Sequence, residues 1–562
     1  MSRQGTLLHR LLLTVSAATA CTMVTGCALA RLPSRDSLLL EPPLPDLRIG
    51  WAQPAAGPGV DAAPTLPRPT PSPGGRLELD VAQAILTALE NNQALKVECL
   101  NPDITRTFEG EERAIFDPVV GAETSTGVTR SRSRGADGRL HSATSGRTSL
   151  DAWVRQFLPT GTTVELDGSY SLTGVGTWYH DKLETARIGV SVTQALLRGC
   201  GVAVNLATLR QARLDTLASH YEFRGFAESL VADVEHAYWD CALAERQIEI
   251  YAASLKVAED QLAETMERIK IGKLAETELA AVQAEVASRR EALINARSAL
   301  ATARLRFLRL LNPPGANPWG RDIALLVQPA APDVKLDDVE AHVQLALRLR
   351  PDINEAKLRV RRGDLEIVKT RNGLLPKLDL FATLGKSGYS TALGHSPSQL
   401  PDTGYDALVG LTYQFPIGNR AAGARHERAV LTSRQLTEAL DSLAQLAQLD
   451  VRTAYIEVER AREQVTATAA TRKAREVASA TESARLREGK STPFLVALAQ
   501  RDLLASQIAE VEAVVNLLKN IVTLYRGDGS LLERRGIAAP GRGLPGPATS
   551  PAPAPATRNG PP

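Results

Sequence analysis

The chain has 562 residues, with 65 Lys and Arg against 63 Asp and Glu and a formal net charge of +2. Opposite charges are interleaved along it, which excludes a nucleic-acid-binding face built on excess positive charge. The length suffices for several domains, and five Cys at irregular spacing fit neither a disulfide framework nor a zinc site.

Residues 1–26 read as an export signal. Arg3 and Arg10 supply the positive flank, and Leu11 to Val24 is apolar but too short to span a bilayer as a helix. The stretch ends in Val24-Thr25-Gly26-Cys27, a branched apolar residue, two small residues and Cys, which resembles the bacterial lipoprotein processing box. On that reading Cys27 accepts a lipid and starts the mature chain, and Ala28 rather than Asp at the next position resembles sorting to the outer membrane. The other reading is an ordinary signal peptide with an incidental Cys. Residues 27–75 are rich in Pro and lack the apolar surface that would offset ordering entropy. Cys99, Cys200 and Cys241 remain after processing and are expected as buried small residues; one disulfide stays open, its pair unassigned.

Residues 76–312 form a first unit. Leu79 to about Arg113 reads as helix, and an extended segment starts at Pro118. In Thr162 to Leu172, Val164, Leu166, Gly168, Tyr170 and Leu172 alternate with Thr163, Glu165, Asp167, Ser169 and Ser171; Ile188, Val190 and Val192 alternate with Arg187, Gly189, Ser191 and Thr193. Alternation over about 10 residues suits a membrane barrel with lipid outside and water inside, and it equally suits a half-buried soluble sheet. Val202 to Ile271 carries no Pro and one Gly, and about 70 residues of helix make a rod of roughly 100 Å. Gly272 interrupts it, and a second helix runs to about Leu311. A linker follows at 313–335.

Residues 336–528 repeat the plan: helix from Asp337 to Gly373, strand from Pro376, alternating Tyr405 to Phe415, a Pro-free rod from Ala421 to Glu488, an interruption at Gly489, and a last helix with Pro493 in its first turn. Asp233-Val234, Ala237-Tyr238, Arg268, Gly272-Lys273 and Gln283 return 217 residues later as Asp450-Val451, Ala454-Tyr455, Arg485, Gly489-Lys490 and Gln500. An offset of 258 maps Asp80-Val81 onto Asp338-Val339 and Pro118 onto Pro376. So long a period indicates a duplicated half rather than a solenoid. Leu279, Val286, Leu293, Leu300 and Phe307 recur every seven residues, as do Val496, Leu503, Leu517 and Leu524 with Glu510 breaking the series. That is the coiled-coil period. A solvated stalk would explain the helices but not the strands. Residues 529–562 form a Gly/Pro-rich tail.

Four segments in register with the duplication carry a resemblance to the outer-membrane efflux protein family, the TolC-like exit ducts, and to its lipoprotein branch. Val192-Thr193-Gln194-Ala195-Leu196-Leu197-Arg198-Gly199 resembles the strand-to-helix exit, with Ala195 in place of the usual Pro. Phe415-Pro416-Ile417-Gly418-Asn419-Arg420-Ala421-Ala422 resembles the same junction in the second half. Ile271-Gly272-Lys273-Leu274-Ala275 and Glu488-Gly489-Lys490-Ser491-Thr492 resemble the inner helix-hairpin turns.

The resemblance implies an α+β membrane duct. Three copies would each give four strands to a 12-stranded outer-membrane barrel and a coiled-coil helical tube to the periplasm. The strand-like sequence at Leu150–Leu172 is then an extra hairpin, expected outside the wall or extending it; counted as barrel strands it would instead give six per copy and about 18 in three. The implied function is passive conduction of solutes from an inner-membrane pump, joined through a periplasmic adaptor. Gly272, Lys273, Leu274, Gly489, Lys490 and Ser491 would be the adaptor-docking tips, and Glu267, Arg268, Glu482 and Arg485 candidate gate charges. Read from the residues alone, each of these charges is better explained as part of a solvated surface. No cofactor, metal site or catalytic residue is expected: there is no phosphate loop, His-Glu-x-x-His or nucleophile elbow. The alternative is a lipid-anchored periplasmic coiled-coil adaptor or structural protein.

Overall fold

The computed structural model describes residues 77–537 apart from 135, 137, 176–179, 272–274, 315–316, 333–334, 392–394 and 401–403. The export signal, Cys27, the Pro-rich segment and the tip residues Gly272, Lys273 and Leu274 lie outside the described residues.

Two long rods organise the chain. The first, α5 (Ala207–Lys270), has 64 residues and the second, α9 (Arg420–Arg487), has 68, each about 100 Å at 1.5 Å per residue. They end at Lys270 and Arg487, 217 positions apart. Each rod turns back into a helix of half its length, α6 (Glu278–Leu311) and α10 (Pro493–Gly527). Pro493 sits in the first turn, where its missing N–H leaves no bond unmade. The other half of each rod is matched by shorter helices. In the first repeat these are α1 (Val81–Asn91), α2 (Gln93–Glu98) and α3 (Leu100–Arg113), followed after the sheet strands by the single turn α4 (Val202–Asn205). In the second they are α7 (Val339–Leu349) and α8 (Pro351–Gly373). The single helices expected at Leu79–Arg113 and Asp337–Gly373 are thus broken, the first at Asn92 and Cys99 and the second before Pro351. Asn92 ends α1 and caps α2, its side chain accepting from the Leu95 N–H at 3.0 Å.

The coiled-coil series is used as packing. Val286, Leu293 and Phe307 are buried in α6, and Val496, Leu517 and Leu524 in α10. Glu510, the break in the second series, meets Arg472 of α9 at 2.6 Å.

The largest core lies at mid-rod. Phe223 to Ala242 of α5 meets α1, the end of α6, α7, Val451 to Ala461 of α9 and Val515 to Tyr525 of α10. A two-stranded parallel pair, β1 (Leu77–Leu79) with β6 (Ile323–Leu325), belongs to it. The Tyr238 hydroxyl, fully buried, donates towards the Leu79 carbonyl at 3.3 Å and accepts from the Val327 N–H at 3.0 Å. The short helix α11 (Leu531–Arg534) packs here too, with Leu531 and Leu532 buried, so the chain assigned to a tail from residue 529 is folded as far as Ile537. Cys241 is buried as expected; Cys99 is half-buried and Cys200 exposed, and all three are unbonded.

Among the described residues one antiparallel sheet stands at the other end of the rods. Its strands are β2 (Val119–Arg134), β3 (Leu140–Phe157), β4 (Thr162–Val175), β5 (His180–Ala195), β7 (Lys377–Ser390) and β8 (Tyr405–Gln414), in that spatial order. The protomer therefore carries six strands where four were expected. The β3–β4 hairpin does not stand apart from the sheet: it separates β2 from β5, pairing with each along its length. The sequence showed the hairpin's alternation but not its partners, because partners depend on register.

Candidate functional site

Strand geometry sends alternate side chains to opposite faces, and the register here sorts them sharply. One row across all six strands is Val120, Val154, Leu166, Val190, Leu384 and Ala407. All are apolar, and the first five are 74%, 38%, 46%, 42% and 64% exposed. Leu150, Ile188, Val192, Val409 and Leu411 extend this exposed apolar face. Soluble chains rarely leave so continuous an apolar surface open.

The opposite face is polar. The row behind it reads Gly121, Trp153, Asp167, Gly189, Gly385 and Asp406. From β5, Arg187 reaches Asp167 on β4 at 2.6 Å and Asp406 on β8 at 2.9 Å, passing over β7. Two glycines clear the way. A Cβ on Gly385 would stand 2.5 Å from an Asp406 carboxylate oxygen, and one on Gly189 2.7 Å from an Arg187 nitrogen. Arg155 and Glu165 form a further pair at 2.6 Å. Alternation had placed Arg187 and Asp406 on polar faces, but nothing in the sequence paired residues 219 apart.

The sheet is fastened to the rods at the strand-to-helix exits. Gln194, Gly199 and Gly201, from the first exit, surround the β3–β4 turn at Pro159 to Gly161. The Gly201 N–H donates to the Thr160 carbonyl at 3.2 Å, and the Asn205 amide to the Pro159 and Gly199 carbonyls at 2.9 Å each. The Ala195 N–H donates to the Gly161 carbonyl at 3.0 Å, a bond that Pro could not make. Gly161 has a positive φ and approaches the Gly199 carbonyl so closely that a Cβ would lie 2.3 Å from it. Asn372, ahead of β7, accepts from the Gly199 N–H at 2.8 Å.

At the far ends of the rods, the second tip closes by its backbone. Gly489 has a φ of 73°, the Gly489 N–H donates to Leu486 and the Lys490 N–H to Arg485, the pairing of a helix end capped by a left-handed glycine. The Ser491 hydroxyl donates to Glu482, which also meets Arg485 at 3.3 Å. Lys490 pairs with Glu488 at 2.9 Å, both exposed. At the first tip Glu267 and Arg268 do not pair with each other; Glu267 meets Lys270 and Arg268 meets Glu264, each at 2.5 Å. These are single-helix pairs worth about 0–1 kcal/mol each. Among the described residues the two tips are joined by Arg268, which donates to the Leu486 carbonyl at 3.4 Å. Among the described residues no group of three or more His, Cys, Asp or Glu is placed to hold a metal ion. Among the described residues no helix is long and apolar enough to cross a membrane.

Comparison with known proteins agrees with this anatomy. Residues 84–313 and 342–530, one stretch per repeat, match the family model described as outer membrane efflux protein. A search of curated protein sequences finds no match. Among solved structures the chain is similar to the outer-membrane channel OprN, with 18% identity, a TM-score of 0.60, and 80% of this chain and 90% of that one covered. It is similar to the open state of the Neisseria gonorrhoeae MtrE outer membrane channel at 19% identity and a TM-score of 0.57, covering 80% and 89%. The Vibrio cholerae outer membrane protein VceC matches at 16% identity and a TM-score of 0.58, covering 80% and 96%.

Proposed function

The chain belongs to the outer membrane efflux protein family, and on that premise we propose that it is the outer-membrane exit duct of a tripartite export system, passively conducting solutes delivered by an inner-membrane pump. The observation that carries this reading is the sheet. Its apolar face is exposed from Val120 on one edge strand to Val409 on the other, and its polar face holds the Asp167–Arg187–Asp406 ladder. A sheet in lipid cannot leave edge N–H and C=O groups unpaired, so β2 and β8 require further copies of the chain. The second rod supports the same conclusion: Leu431, Leu446, Leu449, Ile456 and Val477 stand exposed along α9, a stripe that a neighbouring copy would cover. In this reading three copies place the sheets in the outer membrane around water and the rods side by side as a periplasmic tube.

Conduction then needs no chemistry. The tube is gated where the hairpin tips converge, by separation of the rod ends. Glu267, Arg268, Glu482 and Arg485 lie at that level, and the Arg268 bond to Leu486 is one that opening must break. Gly272 to Leu274 and Gly489 to Ser491 are the seats for a periplasmic adaptor, and Cys27 carries the lipid anchor. The first unit (76–312), linker (313–335) and second unit (336–528) act as one body.

Purified from membranes, the protein is expected to run as a heat-resistant trimer and to give ion-conducting steps in planar bilayers. A monomer without conductance would show that the duct reading is wrong and favour a coiled-coil stalk or adaptor.

A further inference from the structure

We propose that the β3–β4 hairpin is part of the membrane wall, so that three copies close an 18-stranded barrel about as wide as the helical tube below it. This rests on the duct reading above.

Three observations support it. The hairpin's faces continue those of its neighbours: Val154 and Leu166 sit in the exposed apolar row, while Asp151 and Asp167 sit on the polar face. A flap outside the wall would have no reason to divide its two faces this way. The hairpin's inner turn is also bolted to the strand-to-helix exit through Thr160, Gly161, Gly199 and Asn205. That contact includes the Ala195 N–H, a donor that Pro at this position would lack. Finally, β2 leaves the helical end of the molecule and β8 returns to it, so β8 of one copy meets β2 of the next antiparallel, as ring closure requires.

Geometry gives the consequence. Strands spaced about 4.8 Å apart and tilted about 40° make a backbone ring roughly 36 Å across with 18 strands and roughly 24 Å with 12. At each level of the rods one copy presents four helices: α3, α5, α8 and α9 near the sheet, then α5, α6, α9 and α10 towards the tips. Twelve helices about 9.5 Å apart make a tube roughly 36 Å across. Eighteen strands therefore match the tube, whereas 12 would form a neck. The exit would admit solutes about 1.5 times as wide as a neck would on the backbone measure.

The test is an image of the full-length trimer in lipid nanodiscs at a resolution that separates strands, with polyethylene glycol exclusion applied from the outer side. Eighteen strands and an exclusion size near that of the tube are expected. A trimer with 12 strands and the hairpin outside the ring would overturn this inference while leaving the duct reading intact. Failure to form a conducting trimer would overturn both.

Discussion

Glu228 shows what a single residue contributes inside the mid-rod core. It is 3% exposed and meets Arg224, one turn away, at 3.0 Å; Arg224 also reaches Glu533 at 3.3 Å. Burial pushes the Glu228 carboxyl up to about 7, against the pull of Arg224, with Glu533 and Asp528 adding to the rise. A carboxyl raised above its ordinary 4.5 contributes its stability below that value and loses it as pH climbs through about 7. The melting midpoint of the helical domain is therefore expected to fall between pH 5 and pH 8, by the equivalent of about 3 kcal/mol, and Glu228→Gln should flatten that fall. A pH series of thermal melts on both proteins decides it; parallel slopes would refute the assignment. On the sheet, Arg187 is the one cation between two carboxylates. Arg187→Gln leaves Asp167 and Asp406 uncompensated on the sheet's polar face and, on the duct reading, should raise cation selectivity, read as a larger reversal potential under a salt gradient. Neither cluster was legible in the sequence. The Gly489 turn was, because a left-handed glycine between two helical runs is a local signal, whereas Arg187 finds Asp406 only once strand register is set.

Elements were read unevenly for physical reasons. Rods and their interruptions are written in the absence of Pro and the seven-residue series, and both rods end within a residue of where Gly272 and Gly489 placed them. Three-residue β1 and β6 and four-residue α11 carry too little pattern to be seen, and they exist because the mid-rod core buries them. Strand number was underestimated because alternation identifies a strand without identifying its neighbours. The first exit element offers a direct probe. Ala195→Pro removes the N–H donated to Gly161 and should cost about 1–3 kcal/mol by loosening the β3–β4 turn. Hydrogen exchange of the turn amides should rise while that of α9 stays constant; a uniform change would argue against a local role.

For the whole molecule, the unpartnered side of α9 is the most direct guide to assembly. Leu449 and Ile456 are 61% and 62% exposed, on one stripe. Leu449→Glu with Ile456→Glu should leave the protomer folded, since neither side chain is buried in it, but should abolish the heat-resistant trimer. Retention of a trimer with unchanged thermal resistance would place the copy-to-copy contact elsewhere.

The β3–β4 segment enters and leaves the sheet at the end away from the helices, and its inner end meets the helical part at the first exit and at Phe116, which stacks on Phe157 and accepts from the Gln156 amide. It can therefore be acquired as the lengthening of one outer loop that folds back down between two existing strands, with every strand-to-rod connection unchanged. The width of an exit is then open to evolution by a single insertion, independently of the spacing of the rod tips at the far end of the molecule.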